Sequence, residues 1–368
     1  MNKNAHSHGT GYVTLTTGDV FEGTIYGAPL LTSGEVVFHT GMTGYQEVMT
    51  DPSFAGQIVT FTYPLIGNYG VNELDNEAHK PALAGMIVGD LCEKPSHFRS
   101  RYSLAEVAEK HSFPILAGID TRTITKLVRD LGNIYGVISD RPLSVEEVQA
   151  FRAKRKAEPV VASVSCEQPV HFPGKREHIV LIDLGAKQSI ITELLAMGCR
   201  VTAVPYNTTY AEIKALQPDG LVLSNGPGDP MEMLPYLAEW KKAVEQYPTL
   251  GICLGHQVLA LMYGAKTERL PYGHRGSNHP VKELATGKVY LTSQNHGYVV
   301  KEDSLDKNNL AITYRNVNDG TVEGIRHHYL PMMSVQFHPE AHPGPSDTSH
   351  IFTSFIQSLQ SMGAKHYA

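Results

Sequence analysis

From His178 onward the sequence alternates short apolar runs with segments of helical period, and this alternation restricts the fold more than any other feature. His178-Ile179-Val180-Leu181-Ile182-Asp183 is a continuous apolar run, as expected of a strand buried on both faces. Residues 187–197 then repeat apolar side chains at helical spacing (Ile190, Ile191, Leu194, Leu195), and Gly198 stops the pattern. The pairing recurs as strand 200–205 with helix 210–216, strand 220–224 with helix 234–247, and strand 249–252 with helix 255–263. Strands alternating with helices predict parallel βαβ units in an open, doubly wound α/β sheet. Beyond residue 280 short alternating runs at 288–292, 311–314, 322–325 and 332–337 predict added strands, and a last helix is expected over 348–359.

The first half lacks this rhythm. Short strands are expected at 12–15, 20–23, 36–38 and 57–61, with helices at 104–110 and 123–129, so residues 1–150 read as a separate mixed α/β domain. A chain of 368 residues has room for about two domains. The seam is expected at 151–177, after a charged helix at 144–156, where proline, glycine and charge interrupt any apolar period. Residues 178–368 form the second domain. With 42% hydrophobic and 18% charged residues the chain is globular rather than disordered. Its net charge of −6 supplies no basic field, which disfavours nucleic acid as a partner. The N-terminal residues carry no apolar core of signal-peptide length, and no run has the length of a membrane span, so a soluble, cytoplasmic protein is expected. Cys92, Cys166, Cys199 and Cys253 are widely spaced, which argues against a disulfide framework or a zinc knuckle.

One of the four cysteines stands apart. In Gly251-Ile252-Cys253-Leu254-Gly255-His256-Gln257 an apolar strand runs into a G-x-C-x-G turn and then a helix, which is the geometry of a nucleophile elbow with sulfur in place of oxygen. Flanking glycines permit a strained backbone at Cys253, and the positive end of the helix favours the reactive thiolate. A buried packing role suits an isolated cysteine better; among these glycines the nucleophile is favoured. His338 follows an apolar run, and Glu340, two residues on, is placed to hold its ring, which is the logic of a triad. His338 and His342 are spaced like a metal pair, but Pro339 and Pro343 break the helix such a pair needs, so no metal is expected there. Ser224-Asn225-Gly226-Pro227-Gly228-Asp229-Pro230 follows another buried strand. The loop carries no Walker lysine and no G-x-G-x-x-G, so its bare N–H groups are read as an oxyanion site on the rim shared with Cys253.

These residues resemble a known family. Gly251–Gln257, the Asn225–Pro230 loop and His338-Pro339-Glu340 look like a class I glutamine amidotransferase. Gln294-Asn295-His296-Gly297-Tyr298 and Gly273-His274-Arg275-Gly276-Ser277-Asn278-His279-Pro280-Val281 resemble the glutamine-hydrolysing small subunits of carbamoyl-phosphate synthetases. In the first half Met42-Thr43-Gly44-Tyr45-Gln46-Glu47, Asp51-Pro52-Ser53-Phe54 and Gly118-Ile119-Asp120-Thr121-Arg122 agree with that family's N-terminal domain. The resemblance implies that Cys253 attacks glutamine, that His338 shuttles the proton and that Glu340 orients it. It implies oxyanion donors at the backbone of Gly226 and Leu254, and glutamine contacts at Ser53, Gly226, Gly228, Leu254, Gln257, Asn295, Gly297 and Tyr298. His296 and Lys187 fall on family positions near the site or a subunit contact, where a packed histidine and a solvated lysine are the alternatives.

The resemblance also implies a partner. The chain has no P-loop and no length for an ATP-grasp fold, so no cofactor is expected in it, and ATP and Mg are expected on a large subunit that receives ammonia. The expected assembly is a heterodimer or a higher oligomer serving arginine or pyrimidine synthesis, the first domain docking the partner and closing the site. Other amidotransferase subunits lack this N-terminal domain. A silent scaffold would have lost Cys253 or His338, and a thiol peptidase leaves the 224–229 loop and the 294–297 segment unexplained.

Overall fold

The computed structural model describes residues 7–28, 31–154 and 160–366. The chain divides into two compact units, Met1–Glu158 and Pro159–Ala368.

The first unit is built on a closed barrel. Its strands run in the order Ser7–Leu15, Val20–Gly27, Pro114–Ala117, Gly85–Ile87, Gln57–Phe61, Thr32–His39 and Ile134–Ser139, and the last pairs back to the first. Side chains alternate between the two faces of each strand. One face gives a cluster that includes Leu15, Ile25, Val36, Ile58, Ile87, Leu116 and Ile138, joined by Ile124 and Val128 of the helix Thr121–Leu131. The opposite face packs Val37, Val59, Met86 and Ile115 against the helices Tyr45–Thr50 and Leu104–Lys110. The strands that close the barrel, 85–87, 114–117 and 134–139, lay outside the sequence expectation. They are short or lack polar alternation because both faces are covered, and the period-2 signal disappears.

The second unit is a sheet in the order Val170–Phe172, Arg200–Pro205, His178–Asp183, Gly220–Leu223, Thr249–Ile252, Met332–Val335, Val322–His327, Leu310–Asn316, Thr267–Glu283 and Val289–Val300. The five strands from Arg200–Pro205 to Met332–Val335 are mutually parallel. The rest pair antiparallel, so the doubly wound parallel core carries an antiparallel extension. The central strands feed two cores. Val180, Ile182, Leu221 and Leu223 face a cluster around Trp240, while Ile179, Leu181, Val222, Leu250 and Ile252 face another around Phe352 and Phe355.

Three expectations shift. The stretch 151–177 is structured where it is described. A helix spans Val145–Lys154, a 3-10 turn spans Val160–Ser163, and Val170–Phe172 joins the sheet edge opposite Arg200–Pro205. Arg155 to Pro159, including the end of the helix expected at 144–156, lie outside the described residues. The helix expected at 234–247 divides into a 3-10 segment Pro230–Tyr236 and an α-helix Leu237–Val244, because Pro235 cannot donate to a continuous ladder. The strand Thr267–Glu283 is longer than anything the sequence suggests there, since its glycines and prolines accommodate two register shifts against Val289–Val300. All four cysteines are free, and burial pushes the thiols of Cys166 and Cys199 up to about 12 and about 11, which suits inert packing residues. Among the described residues no helix is long and apolar enough to cross a membrane.

Trp240 is fully buried and is the largest side chain of its cluster. Trp240→Ala should cost about 3–5 kcal/mol, read as a lowered denaturation midpoint at unchanged slope in equilibrium unfolding.

Candidate active site

The strand Thr249–Ile252 ends at Cys253, and the helix Leu254–Met262 begins at the next residue. Cys253 joins them with φ 54° and ψ −103°, a conformation that side-chain-bearing residues rarely adopt. Close packing holds it there. A Cβ on Gly255 would stand 2.1 Å from the Leu223 carbonyl oxygen, and one on Gly251 would stand 2.5 Å from Leu259 Cδ1. Gly226, on the loop after Gly220–Leu223, is pressed equally hard, with a virtual Cβ 2.1 Å from the Leu184 carbonyl and 2.9 Å from Leu254 Cδ2. Cys253 is buried at the positive end of a nine-residue helix, and its Sγ lies 3.6 Å from the Asn295 carbonyl oxygen.

The strand Met332–Val335 lies parallel to the cysteine strand, with Val335 beside Ile252. Three residues further on, His338 is buried, and its Nδ1 is 2.6 Å from Glu340 Oε1. The ring is held from its backbone as well, through His338 N–H to the Ser293 carbonyl at 2.9 Å. Its Nε2 has no aligned hydrogen-bond partner. Lys187, at the start of the helix Gln188–Ala196, is also buried; its Nζ is 3.1 Å from Glu340 Oε1 and donates to the Ala341 carbonyl at 2.5 Å. Lysine, carboxylate and imidazole thus form one buried chain of charge. Burial opposes ionisation of Glu340, but Lys187 and then His338 outweigh it and hold the carboxyl below its usual range. Burial likewise opposes the imidazolium, yet the Glu340 charge and the nearby Cys253 keep His338 above the ordinary imidazole range. A solvated Lys187 is therefore ruled out. The sequence placed Lys187 only through the family resemblance; it stands four residues after the buried strand His178–Asp183.

The remaining expected positions separate by unit. The N–H groups of Gly226 and Leu254 have no hydrogen-bond partner among the described residues, as an oxyanion pair requires. Gly228 sits at φ 92°, a value that suits glycine. Gln257 Nε2 donates to the Tyr298 carbonyl at 2.7 Å and to Gln336 Oε1 at 2.9 Å, tying the cysteine helix to the strand that carries Asn295, Gly297 and Tyr298. His296 is buried, with Nδ1 2.9 Å from the Tyr298 carbonyl. Ser53 belongs to the first unit, in the turn Pro52–Phe54, where its N–H donates to Asp51 Oδ1 at 2.8 Å. The residues around His342 form no helix, so they build no His338–His342 pair.

Residues 180–358 match the family described as glutamine amidotransferase class-I, and residues 13–138 match the CPSase domain of the carbamoyl-phosphate synthase small chain. A Halalkalibacterium halodurans protein named carbamoyl phosphate synthase arginine-specific small chain is 49% identical, over 97% of this chain and 99% of its own length. The chain belongs to the carbamoyl phosphate synthase small-chain family. The pyrimidine-specific small chain of Bacillus subtilis is 48% identical over 95% of each chain. The small chain of Caldanaerobacter subterraneus is 45% identical over 97% of this chain and 98% of its own.

In the amidotransferase domain the Lys187–Glu340 pair has a pH signature. Because the folded carboxyl is held low, its stabilisation is present above the ordinary carboxylate range and is lost as pH falls toward the lowered folded value. Lys187→Met should cost about 3 kcal/mol at neutral pH, the low end for a broken buried pair because His338 still faces the carboxylate. Urea unfolding of both proteins at several pH values should show the gap narrowing below about pH 4, where the unfolded carboxyl protonates.

Proposed function

We propose that this chain is the glutaminase subunit of a carbamoyl phosphate synthase, with Cys253, His338 and Glu340 as its triad. The observation that carries the reading is the strained Cys253, at the head of its helix, with a buried His338–Glu340 pair just past the end of the next parallel strand.

The chemistry follows from the positions. Sγ of Cys253 attacks the side-chain amide carbon of L-glutamine as a thiolate, its proton already held on His338, which Glu340 keeps above the ordinary imidazole range. That proton sits on His338 Nε2, because Nδ1 is committed to Glu340. The amide oxygen becomes an oxyanion facing the N–H groups of Gly226 and Leu254. The C–N bond breaks as His338 returns its proton to nitrogen, releasing ammonia and leaving a γ-glutamyl thioester. Water then loses a proton to His338 and attacks the thioester; the C–S bond breaks, glutamate departs and the thiol is restored. Glu340 balances the imidazolium in both halves, and Lys187 keeps that carboxylate ionised and in place. Gly228, Gln257, Asn295, Gly297, Tyr298 and Ser53 bind glutamine, the last five through side chain or backbone polar groups and Gly228 through its loop conformation.

The small-chain likeness supports a large-subunit partner that consumes the ammonia with bicarbonate and ATP, holding the Mg itself, in a heterodimer or a higher assembly. Ammonia free in neutral water is mostly protonated and non-nucleophilic, so a sealed route between subunits suits the reaction. The first unit docks that partner. Relatives named arginine-specific and pyrimidine-specific are similar to nearly the same degree, so similarity does not choose between arginine and pyrimidine synthesis.

Cys253→Ser should lower glutamate release more than about a thousand-fold while leaving ammonia-dependent carbamoyl phosphate synthesis by the reconstituted enzyme intact. Undiminished release would remove Cys253 from the mechanism. Ser53→Ala should raise KM for glutamine with kcat nearly kept, as removal of a ground-state contact does.

A further inference from the structure

A second buried polar cluster lies on the far side of the strand that carries Asn295. His274 of Thr267–Glu283 stands directly opposite His296 of Val289–Val300 in the antiparallel register, with ring centroids 4.9 Å apart. Glu323, fully buried on Val322–His327, completes the group: one donor atom each from His274, His296 and Glu323 lie within 4.8 Å of one another. None of the three enters the triad.

Both rings are held by hydrogen bonds. His274 Nε2 is 2.8 Å from Asp319 Oδ2, so that nitrogen carries a hydrogen. His296 Nδ1 is 2.9 Å from the Tyr298 carbonyl, so it carries one too. The remaining nitrogens, His274 Nδ1 and His296 Nε2, both lie 2.9 Å from Gln294 Oε1. That amide is oriented by Thr292: its hydroxyl donates to the His279 carbonyl at 2.8 Å, and its oxygen accepts Gln294 Nε2 at 3.2 Å. Glu323 Oε1, which accepts from Asn316 Nδ2 at 2.9 Å, is 3.6 Å from His274 Nδ1, and Glu323 Oε2 is buried with no partner. Two imidazole nitrogens, an amide oxygen and a carboxylate therefore converge in one dry space. A single added proton satisfies only one ring, and two would place like charges on rings 4.9 Å apart.

We propose that His274 Nδ1, His296 Nε2, a Glu323 carboxylate oxygen and Gln294 Oε1 bind one divalent transition-metal ion of the zinc class. The donor set of two imidazoles, a carboxylate and a neutral oxygen suits a four-coordinate ion. Donor separations of 2.9, 2.9 and 3.6 Å are close to the edges of a tetrahedron with metal–ligand bonds of about 2 Å. The supporting bonds are those that metal-binding histidines make: His274 hands its other N–H to a carboxylate, His296 to a backbone carbonyl, and Glu323 is held by Asn316. All four positions being filled by protein, the ion is structural. It pins Gln294 and His296, the two neighbours of Asn295, whose carbonyl meets the Cys253 thiol. The proposal is independent of the glutaminase reading.

The test uses the full-length chain, stripped with a chelator and titrated with Zn²⁺ and with Co²⁺, in the natural sequence and as Cys253→Ser so that the thiol cannot bind metal. One equivalent should bind per chain in both. The cobalt form should show the visible bands of a tetrahedral nitrogen–oxygen site without a sulfur-to-cobalt charge-transfer band, and zinc should raise Tm. Glu323→Gln should lose the equivalent and the Tm rise. Asp319→Asn, a change on an exposed turn that leaves the buried ligands in place, should weaken binding about 10–100-fold. Binding that is equal in natural, Glu323→Gln and Asp319→Asn proteins, or a cobalt spectrum that vanishes with Cys253→Ser, overturns the proposal; the first outcome leaves the cluster to protons and the second puts the ion on the thiol.

Discussion

The helix Leu254–Met262 lies so close to the sheet that no side chain fits between them where it begins, and most of the candidate site follows from that closeness. Gly255 meets the Leu223 carbonyl and Gly226 meets the Leu184 carbonyl at distances that exclude a Cβ. With the helix this close, the chain can leave the strand only by the turn that gives Cys253 its positive φ. The same approach presses Gly226 against the Leu254 side chain on the rim of the sheet. Strain at one residue is thereby maintained by packing at several others.

The second constraint is electrostatic. Three ionisable side chains, Lys187, Glu340 and His338, share a space almost closed to water. Each alone would be costly to bury; in a row with alternating sign each lowers the cost of the next. The arrangement joins the turn after His178–Asp183 to the segment after Met332–Val335, so it ties together two strands separated in the sheet by two others. Orientation of the imidazole is consequently a property of the whole parallel core and not of the His338 loop alone.

What could be read from the sequence followed from local periodicity and turn chemistry. The parallel strands and their helices were legible because apolar runs and glycine stops repeat within short windows, and the elbow was legible because strand, glycine, cysteine and glycine are contiguous. The Cys253–His338–Glu340 grouping came from combining two such local signals. Long-range pairings were not legible. The barrel of the first unit closes through strands such as Gly85–Ile87 that carry no alternation, and Thr267–Glu283 hides in a run of glycine, proline and charge. Lys187 was noticed, but its burial against Glu340 depends on a contact across the sheet. The His274–His296–Glu323 group was missed for the same reason: its members come from three strands, and no spacing in the chain announces them.

The pairing of Thr249–Ile252 with Met332–Val335 bears on how the protein comes into being. The neighbour that brings His338 to Cys253 is among the last strands of the chain, and between the two lie the hairpin and the antiparallel strands of the extension. A ribosome must finish nearly all of the second unit before the thiol meets its imidazole. Contacts between residues so distant in sequence also form late in folding, after the local βα pairs. Nascent or truncated chains thus hold Cys253 without His338, and the pair is assembled only when the sheet is complete.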